Sequence, residues 1–464
     1  VPFRNVIRVA SRVVPPGSAA QLACARIAVA ATILLLPEVR NPRAFVGMPP
    51  ALRVAPEGLG WFVALAPIDR TTATLVQAAC IASALCAIAG LVARPALIAL
   101  TASAFYLLAL GQLSGAVWHD MHLLWMAALL ASSPCDEALA FDRRGGERPP
   151  DSKRYGAPLF FARLLLACVY FFPGVHKLAS AGWAWALSDN LRNQMWWKWA
   201  EAGTIPALRL DRFPGLLHGA GLAVMAFELS FPVLALTRAG RTWAAISGFV
   251  FHMLAQAVFA IPFASLWLLY VVFIDPERIL VWWRRRTSAK EAPPAAESLA
   301  PAGPTMPVLM TGITLFAAVA IQGVRGQMRA FPFACYPTFQ WIAGTEMPDL
   351  ILEAEAQDGT RRVVPHARDA RGHRSQRQWG QIWSLAGVTS PVDDARLHAY
   401  LDGVRRRDPA RSLLRDAIRA RFYRAFVSVV PEDADRPPRR GPLLAEFTFP
   451  EPVPSHAQGD PLAQ

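Results

Sequence analysis

Nine stretches of the chain are apolar with few charges: roughly 19–36, 72–92, 95–113, 121–139, 157–178, 214–236, 243–260, 261–277 and 305–322. A helix crosses hydrocarbon with about 20 such residues, so each stretch predicts a membrane span. The fourth is short and polar at both ends. The seventh and eighth meet at Ile261-Pro262, a junction that also fits one bent hairpin. Beyond 323 the pattern changes. LILEAEAQDGTRRVV predicts a hairpin turning at Asp358-Gly359, residues 376–420 carry a helical period, and RAFVSVV with LLAEFTF predicts closing strands. The expected fold is an all-α polytopic membrane protein of about nine transmembrane helices with a small C-terminal α+β extramembrane domain. Its parts are an arm over 1–18, a membrane domain over 19–322 and the small domain over 323–464. An Ala/Pro/Glu-rich linker falls at 287–304.

Composition agrees. Of 464 residues, 54% are hydrophobic and 17% charged, against about 25% charged in soluble domains. Such apolar content excludes a disordered chain. Six cysteines without a CxxC pair exclude a disulfide scaffold. The basic residues give direction. Arg4, Arg8 and Arg12 precede the first span, and Pro37-Glu38 rather than a small-residue cleavage site follows it, so this run reads as a span and not a signal peptide. Arg143, Arg144, Arg148, Lys153 and Arg154 follow the fourth span; Arg238 and Arg241 follow the sixth; Arg278, Arg284, Arg285, Arg286 and Lys290 follow the eighth. With nine spans all four groups share one side, which the positive-inside rule makes cytoplasmic, leaving the tail extracytoplasmic at the plasma (inner) membrane. The net charge of +13 then belongs to loops facing the lipid bilayer, and no nucleic-acid partner is expected. Residues 183–199, WAWALSDNLRNQMWWKW, predict a helix lying flat at the outer interface with its tryptophan N–H groups in water, capped by Ser188 or Asp189.

An ionisable group inside the bilayer costs roughly 2.5–3.5 kcal/mol and needs a reason. Counting 1.5 Å per residue from the inner helix ends places Arg26, Arg163 and Glu228 at similar depths of about 9–12 Å. Opposite charges at one depth predict a structural ion cluster. Lys177 lies about 30 Å along its span, at the outer edge, where His119 and His122 open the fourth span. Two readings stand: a lysine snorkelling to water, or one held in an apolar enclosure that frees its amine as a base. His252 sits mid-span with Gln256 one turn nearer the outer face. His119 and His122 have metal-ligand spacing, but no third ligand is evident and no metal is expected.

The stretch YFFPGVHKLASAGWAWALSDNLRNQMWWKW, 170–199, resembles the vitamin K-dependent γ-glutamyl carboxylase superfamily, in broader terms the horizontally transferred transmembrane (HTTM) domain, as a bacterial-type member. The pattern is an aromatic run, Gly174-Val175, a basic residue, Lys177-Leu178 and then Trp183. Arg26-Ile27, the histidine-led WHDMHLLWMAALLASSPCDEALAFD, Glu228-Leu229-Ser230, Phe251-His252 and PFACYPTF add weaker similarities in the same order. The resemblance implies that Lys177 deprotonates a reduced vitamin K or menaquinol cofactor. The resulting anion would react with O₂, with epoxidation of the quinol and carboxylation of an acceptor. By position, His122 and His119 would manage a proton nearby, and Trp183, Trp185, His252 and Gln256 would be the substrate-contacting residues. The chain departs from the carboxylases at three points. His176 replaces a second lysine, an asparagine pair before the histidine is absent, and the tail after 323 is short. The alternative to an enzyme is a non-catalytic membrane scaffold for a secreted peptide or protein. A transporter is disfavoured by the lack of an inverted repeat.

Overall fold

The computed structural model describes residues 12–113, 120–143, 149–276, 279, 303–327, 330–334, 339–366, 376–407, 413–414, 416–433 and 435–449. His119, most of the arm and most of the linker lie outside these residues. Ten helices matter for the site: α1 Ala19–Leu35, α2 Arg70–Ala89, α3 Ala93–Gln112, α4 Met121–Ala131, α5 Lys153–Ala181, α6 Asn190–Ala202, α7 Pro214–Leu236, α8 Gly240–Phe259, α9 Ala264–Trp267 and α10 Met306–Arg325. Six of them (α2, α3, α5, α7, α8 and α10) are long and apolar enough to cross a membrane. Local chemistry sets their ends. Ser18 accepts from the Gln21 N–H at 3.1 Å to start α1, and Asp69 accepts from the Thr72 N–H at 2.9 Å to start α2. Gly90, at φ 72°, closes α2 in the left-handed conformation.

Three expected spans are shorter apolar helices. α1 has 17 residues. α4 stops at Ala131 rather than 139, and the turn that follows delivers the carbonyls of Cys135, Ala138 and Leu139 to the guanidinium of Arg26. The stretch 261–277 is broken. Pro262 lacks an N–H and disfavours helix at Ile261, so only the turn of α9 and a 3₁₀ segment, Leu268–Phe273, form. The carbonyl of Val272 takes hydrogen bonds from Gln21 at 3.0 Å and Arg163 at 2.7 Å, and that of Ile274 takes one from Gln21 at 3.0 Å.

One end of the bundle gathers the start of α1, the start of α5 and the ends of α4 and the 3₁₀ segment. Gly17 and Ser152 exchange backbone hydrogen bonds at 3.0 and 3.1 Å, Ser18 donates to Asp275 at 3.4 Å, and Arg154 pairs with Glu137 at 2.5 Å. The described basic residues Arg143, Lys153 and Arg154 fall here, and antiparallel α7 carries Arg238 and Arg241 toward it. The opposite end carries the C-terminus of α5, helix α6 and the tail.

The tail is a four-stranded antiparallel sheet, order β2-β1-β3-β4, from β1 Glu346–Ala356, β2 Arg361–Val364, β3 Ala417–Ser428 and β4 Arg439–Thr448. Helices α11 Gln376–Leu385 and α12 Asp394–Arg407 cover it, burying Ile382, Leu397 and Leu401 against Leu350, Leu352 and Phe422. The hairpin at Asp358-Gly359 forms as expected, with Gly359 at φ 81°. The helical period extended to 420 ends sooner, because β3 begins at Ala417.

Helix α6 is the platform for this tail. Four of the five tryptophans in 183–199 donate to protein rather than to water: Trp185 to the Phe339 carbonyl at 2.5 Å, Trp196 to Asp211 at 2.9 Å, Trp197 to the Gly344 carbonyl at 2.8 Å and Trp199 to the Val258 carbonyl at 2.8 Å. Asn193 and Gln194 hold the carbonyls of Ala343 and Trp341, and Trp379 returns a bond to the Glu201 carbonyl. The tryptophan density expected to sit in lipid headgroups therefore works as the joint between the two domains. Asp189 is the N-cap of α6 but makes no side-chain cap bond; Ser188, just before it, accepts from the Asn190 N–H at 3.3 Å.

The buried arginines yield the first prediction. Arg26→Met strips the 135–139 turn of its donor, costing about 1–3 kcal/mol per orphaned carbonyl. Thermal unfolding in detergent should fall accordingly, and Arg26→Lys should recover only part of the loss.

Candidate functional site

The site begins with a glycine. Gly174 faces α7, and a Cβ there would lie 2.8 Å from the Cβ of Glu228. The missing side chain lets α5 and α7 approach closely, and three residues further along α5 the Lys177 Nζ reaches Glu228 Oε1 at 2.5 Å. Both side chains are buried, 4% and 5% exposed. The Trp185 ring lies over the ammonium at 5.1 Å, within cation–π range. On the neighbouring face His176 bonds the Gly323 carbonyl at 2.7 Å and so ties α5 to α10.

Glu228 therefore belongs with Lys177, and the expected cluster of Arg26, Arg163 and Glu228 does not form. The two arginines hold main-chain carbonyls instead, as described above. The depth count failed because it took all inner helix ends as coplanar. α5 has 29 residues and α7 has 23, and the Gly174–Glu228 contact sets their register. Equal distance from two such ends is not equal depth.

A second polar group lies further along the same stripe of α5. Tyr170, seven residues before Lys177, packs its ring against Phe227 and Phe231 of α7 at centroid distances of 5.4 and 4.1 Å. Its hydroxyl meets His252 Nε2 at 2.7 Å and also the hydroxyl of Tyr270, from the 3₁₀ segment. His252 is 1% exposed and packs near Phe263, with ring centroids 5.0 Å apart. His122 is fully buried, its Nε2 3.4 Å from the carbonyl of Ser265 in α9, two residues after the Phe263 whose ring packs near His252. The Ser265 side chain in turn bonds Asp120.

Of the sequence-based candidates, the fold joins Lys177 to Trp185 and sets His122 and His252 against neighbouring residues, Ser265 and Phe263, at α9. Trp183 is 61% exposed, and Gln256 is exposed on α8; neither reaches the cluster among the described residues. His119 lies outside the described residues. No group of three metal-ligand side chains occurs among the described residues. Sequence reading missed Tyr170 and Tyr270 and misplaced Glu228. The signal for Tyr170 was available, since it lies two helical turns from Lys177 on one face. Tyr270 had no signal, because its segment breaks the helical period.

Glu228 Oε2 and His252 Nδ1 are among the buried polar atoms that have no hydrogen-bond partner within the described residues. Aromatic rings lie nearby: Trp185 over the Lys177 ammonium that pairs with Glu228, and Phe251 and Phe263 beside the His252 imidazole.

Six long apolar helices around a buried polar seam define a multi-pass membrane protein. The chain belongs to the HTTM-domain family, whose profile matches residues 17–277, more than half its length. No match to the chain is found among curated proteins or solved structures.

The pair gives the second prediction. Glu228→Leu leaves a buried lysine unpartnered and should destabilise by about 3–5 kcal/mol, whereas Lys177→Met with Glu228→Leu should be close to neutral. Unfolding midpoints of the single and double variants check this.

Proposed function

We propose that this chain is a membrane enzyme of quinol chemistry in which Lys177 is the base and Glu228 takes up the lysine proton. The observation that carries this reading is the buried 2.5 Å contact between the two. The pair holds one proton as ammonium and carboxylate or as amine and acid, with zero net charge either way. The amine form is therefore reachable without a naked charge in a low-dielectric site, which an isolated lysine would not allow. Trp185 covers the amine and restricts water. The orphaned Glu228 Oε2 and His252 Nδ1, with Phe251 and Phe263 beside the imidazole, are the groups suited to hold the head of reduced vitamin K or menaquinol. When bound, the quinol supplies reducing electrons and a hydroxyl proton; O₂-dependent epoxidation, with or without carboxylation of an acceptor, is the reaction class proposed.

A non-catalytic scaffold for a secreted peptide or protein is the second reading. Its support is the seating of 341–344 along α6 by main-chain hydrogen bonds, a contact that reads backbone rather than sequence. For either reading we place the basic end of the bundle in the cytoplasm, by the positive-inside rule, and the tail outside the plasma (inner) membrane.

In proteoliposomes supplied with reduced menaquinone and O₂, Lys177→Ala and Lys177→Arg should both abolish quinol oxidation. Unchanged oxidation in the alanine variant removes the enzyme reading, and a functional arginine variant favours the scaffold. For orientation, a cysteine placed at Thr360 should react with a membrane-impermeant maleimide in intact cells, and one at Arg238 only after lysis. The reverse pattern inverts the topology.

A further inference from the structure

The loop that joins α1 to α2 places arginines at the end of the bundle opposite to the basic one. Arg40, Arg43, Arg53 and Arg70 fall between Leu36 and the first turn of α2, where the positive-inside rule predicts few in a loop read as extracytoplasmic. Arg53 is half-buried and has a structural task, holding the carbonyls of Met48 at 3.1 Å and Val46 at 3.4 Å. Arg40, Arg43 and Arg70 are exposed at the ends of two apolar helices. We infer that these three form a site for the phosphate of an anionic phospholipid in the leaflet on the tail side of the membrane.

Local structure gathers them. Two single-turn helices, Pro37–Arg40 and Arg43–Val46, follow α1. Gln77 of α2 fixes the first by donating to the carbonyls of Val39 at 2.7 Å and Arg40 at 3.2 Å. Arg43 Nε reaches Thr74 Oγ1 at 3.4 Å, and that hydroxyl donates to the Arg70 carbonyl one turn back at 2.8 Å. A cavity of 380 Å³ lined by Pro37, Arg40, Asn41 and Ala44 opens on the exposed face of the two turns. The neighbouring carboxylates are engaged elsewhere. Asp69 accepts from the Thr72 N–H at 2.9 Å and the Thr72 hydroxyl at 2.7 Å, while Glu38 is buried against Gly111. Among the described residues no carboxylate pairs with Arg40, Arg43 or Arg70. Like charges on adjoining turns repel one another, and a bound anion removes that cost.

The surroundings select the anion. α2 is the least buried of the six long helices, and Leu75, Ala78, Ala82 and Leu85 line one exposed face of it. Leu35, the last residue of α1, is exposed as well. A phospholipid held by its headgroup at the arginines can lay its acyl chains on these leucines, whereas free phosphate would use the charges alone. A guanidinium grips two phosphate oxygens at once through its planar fork. Phosphatidylglycerol brings the net negative charge that three unpaired arginines lack, and zwitterionic phosphatidylcholine does not. Neither Lys177 nor the orientation of the chain enters, because phosphates line the boundary of both leaflets.

Native mass spectrometry of the full chain in detergent, titrated with phosphatidylglycerol or phosphatidylcholine, tests the site. The wild type should hold phosphatidylglycerol about tenfold or more tightly than phosphatidylcholine. The variant Arg40→Gln/Arg43→Gln/Arg70→Gln should lose most of that preference, while Arg238→Gln, at the other end of the bundle, should keep it. An unchanged preference in the triple variant overturns the site, and an equal loss in Arg238→Gln reduces it to diffuse charge and overturns it too. Displacement of the lipid by inorganic phosphate would make this a site for a soluble anion and overturn the lipid assignment. In proteoliposomes, phosphatidylglycerol carrying a diazirine on its acyl chain should label the stretch from Leu35 to Ala44 or the α2 face from Leu75 to Leu85. Labelling confined to other segments overturns the placement. The three side chains are exposed, so the triple variant should unfold at the wild-type midpoint. Should it not, Arg40→Gln and Arg43→Gln singly carry the same test, each with a smaller loss of preference, and no loss in either counts against the site.

Discussion

Backbone polar groups removed from water must be satisfied from within the protein, and this chain breaks two of its apolar segments where water is scarce. The breaks hold because two buried arginines and a glutamine supply the donors that a continuous helix would have supplied itself. Arg26 gathers the carbonyls that follow α4, while Arg163 and Gln21 take those of the 3₁₀ segment after α9. Each guanidinium presents several N–H groups in a fixed fork, which suits clustered carbonyls better than a lysine would. The short α4 and broken α9 bring His122, Ser265 and Tyr270 into the bundle, so the polar seam depends on these caps.

The seam is economical in charge. A lone ammonium or carboxylate at 4–5% exposure would be severely destabilised, but the Lys177–Glu228 pair is neutral as a unit. Close approach of α5 and α7 is the condition for that pairing, and the bare Cα of Gly174 provides it. The motif glycine and the motif lysine thus have one joint role. The glycine admits the helix that carries the partner of the lysine.

The tail shows the same dependence on contacts that cross the chain. The tryptophans of 183–199 have the composition of a membrane-interface belt, and a window of sequence gives no indication that protein carbonyls lie within reach of their N–H groups. Those carbonyls come from residues 258, 339 and 344, tens to well over a hundred positions away. A polar segment that reads as a surface helix is instead the joint on which the small domain rests.

Local pattern determined most of the architecture. Spans α2, α3, α5, α7, α8 and α10, the hairpin at Asp358-Gly359 and the last two strands follow from hydrophobic runs, turn residues and period, which act within a few residues. The importance of Lys177 was also legible, because a charge in an apolar run demands an explanation wherever it points. Its partner was not. Glu228 and Trp185 meet Lys177, and Tyr270 meets Tyr170, from separate segments, and which residues face one another depends on helix register. Close contacts such as Gly174 against Glu228 set that register, and only the folded chain contains them.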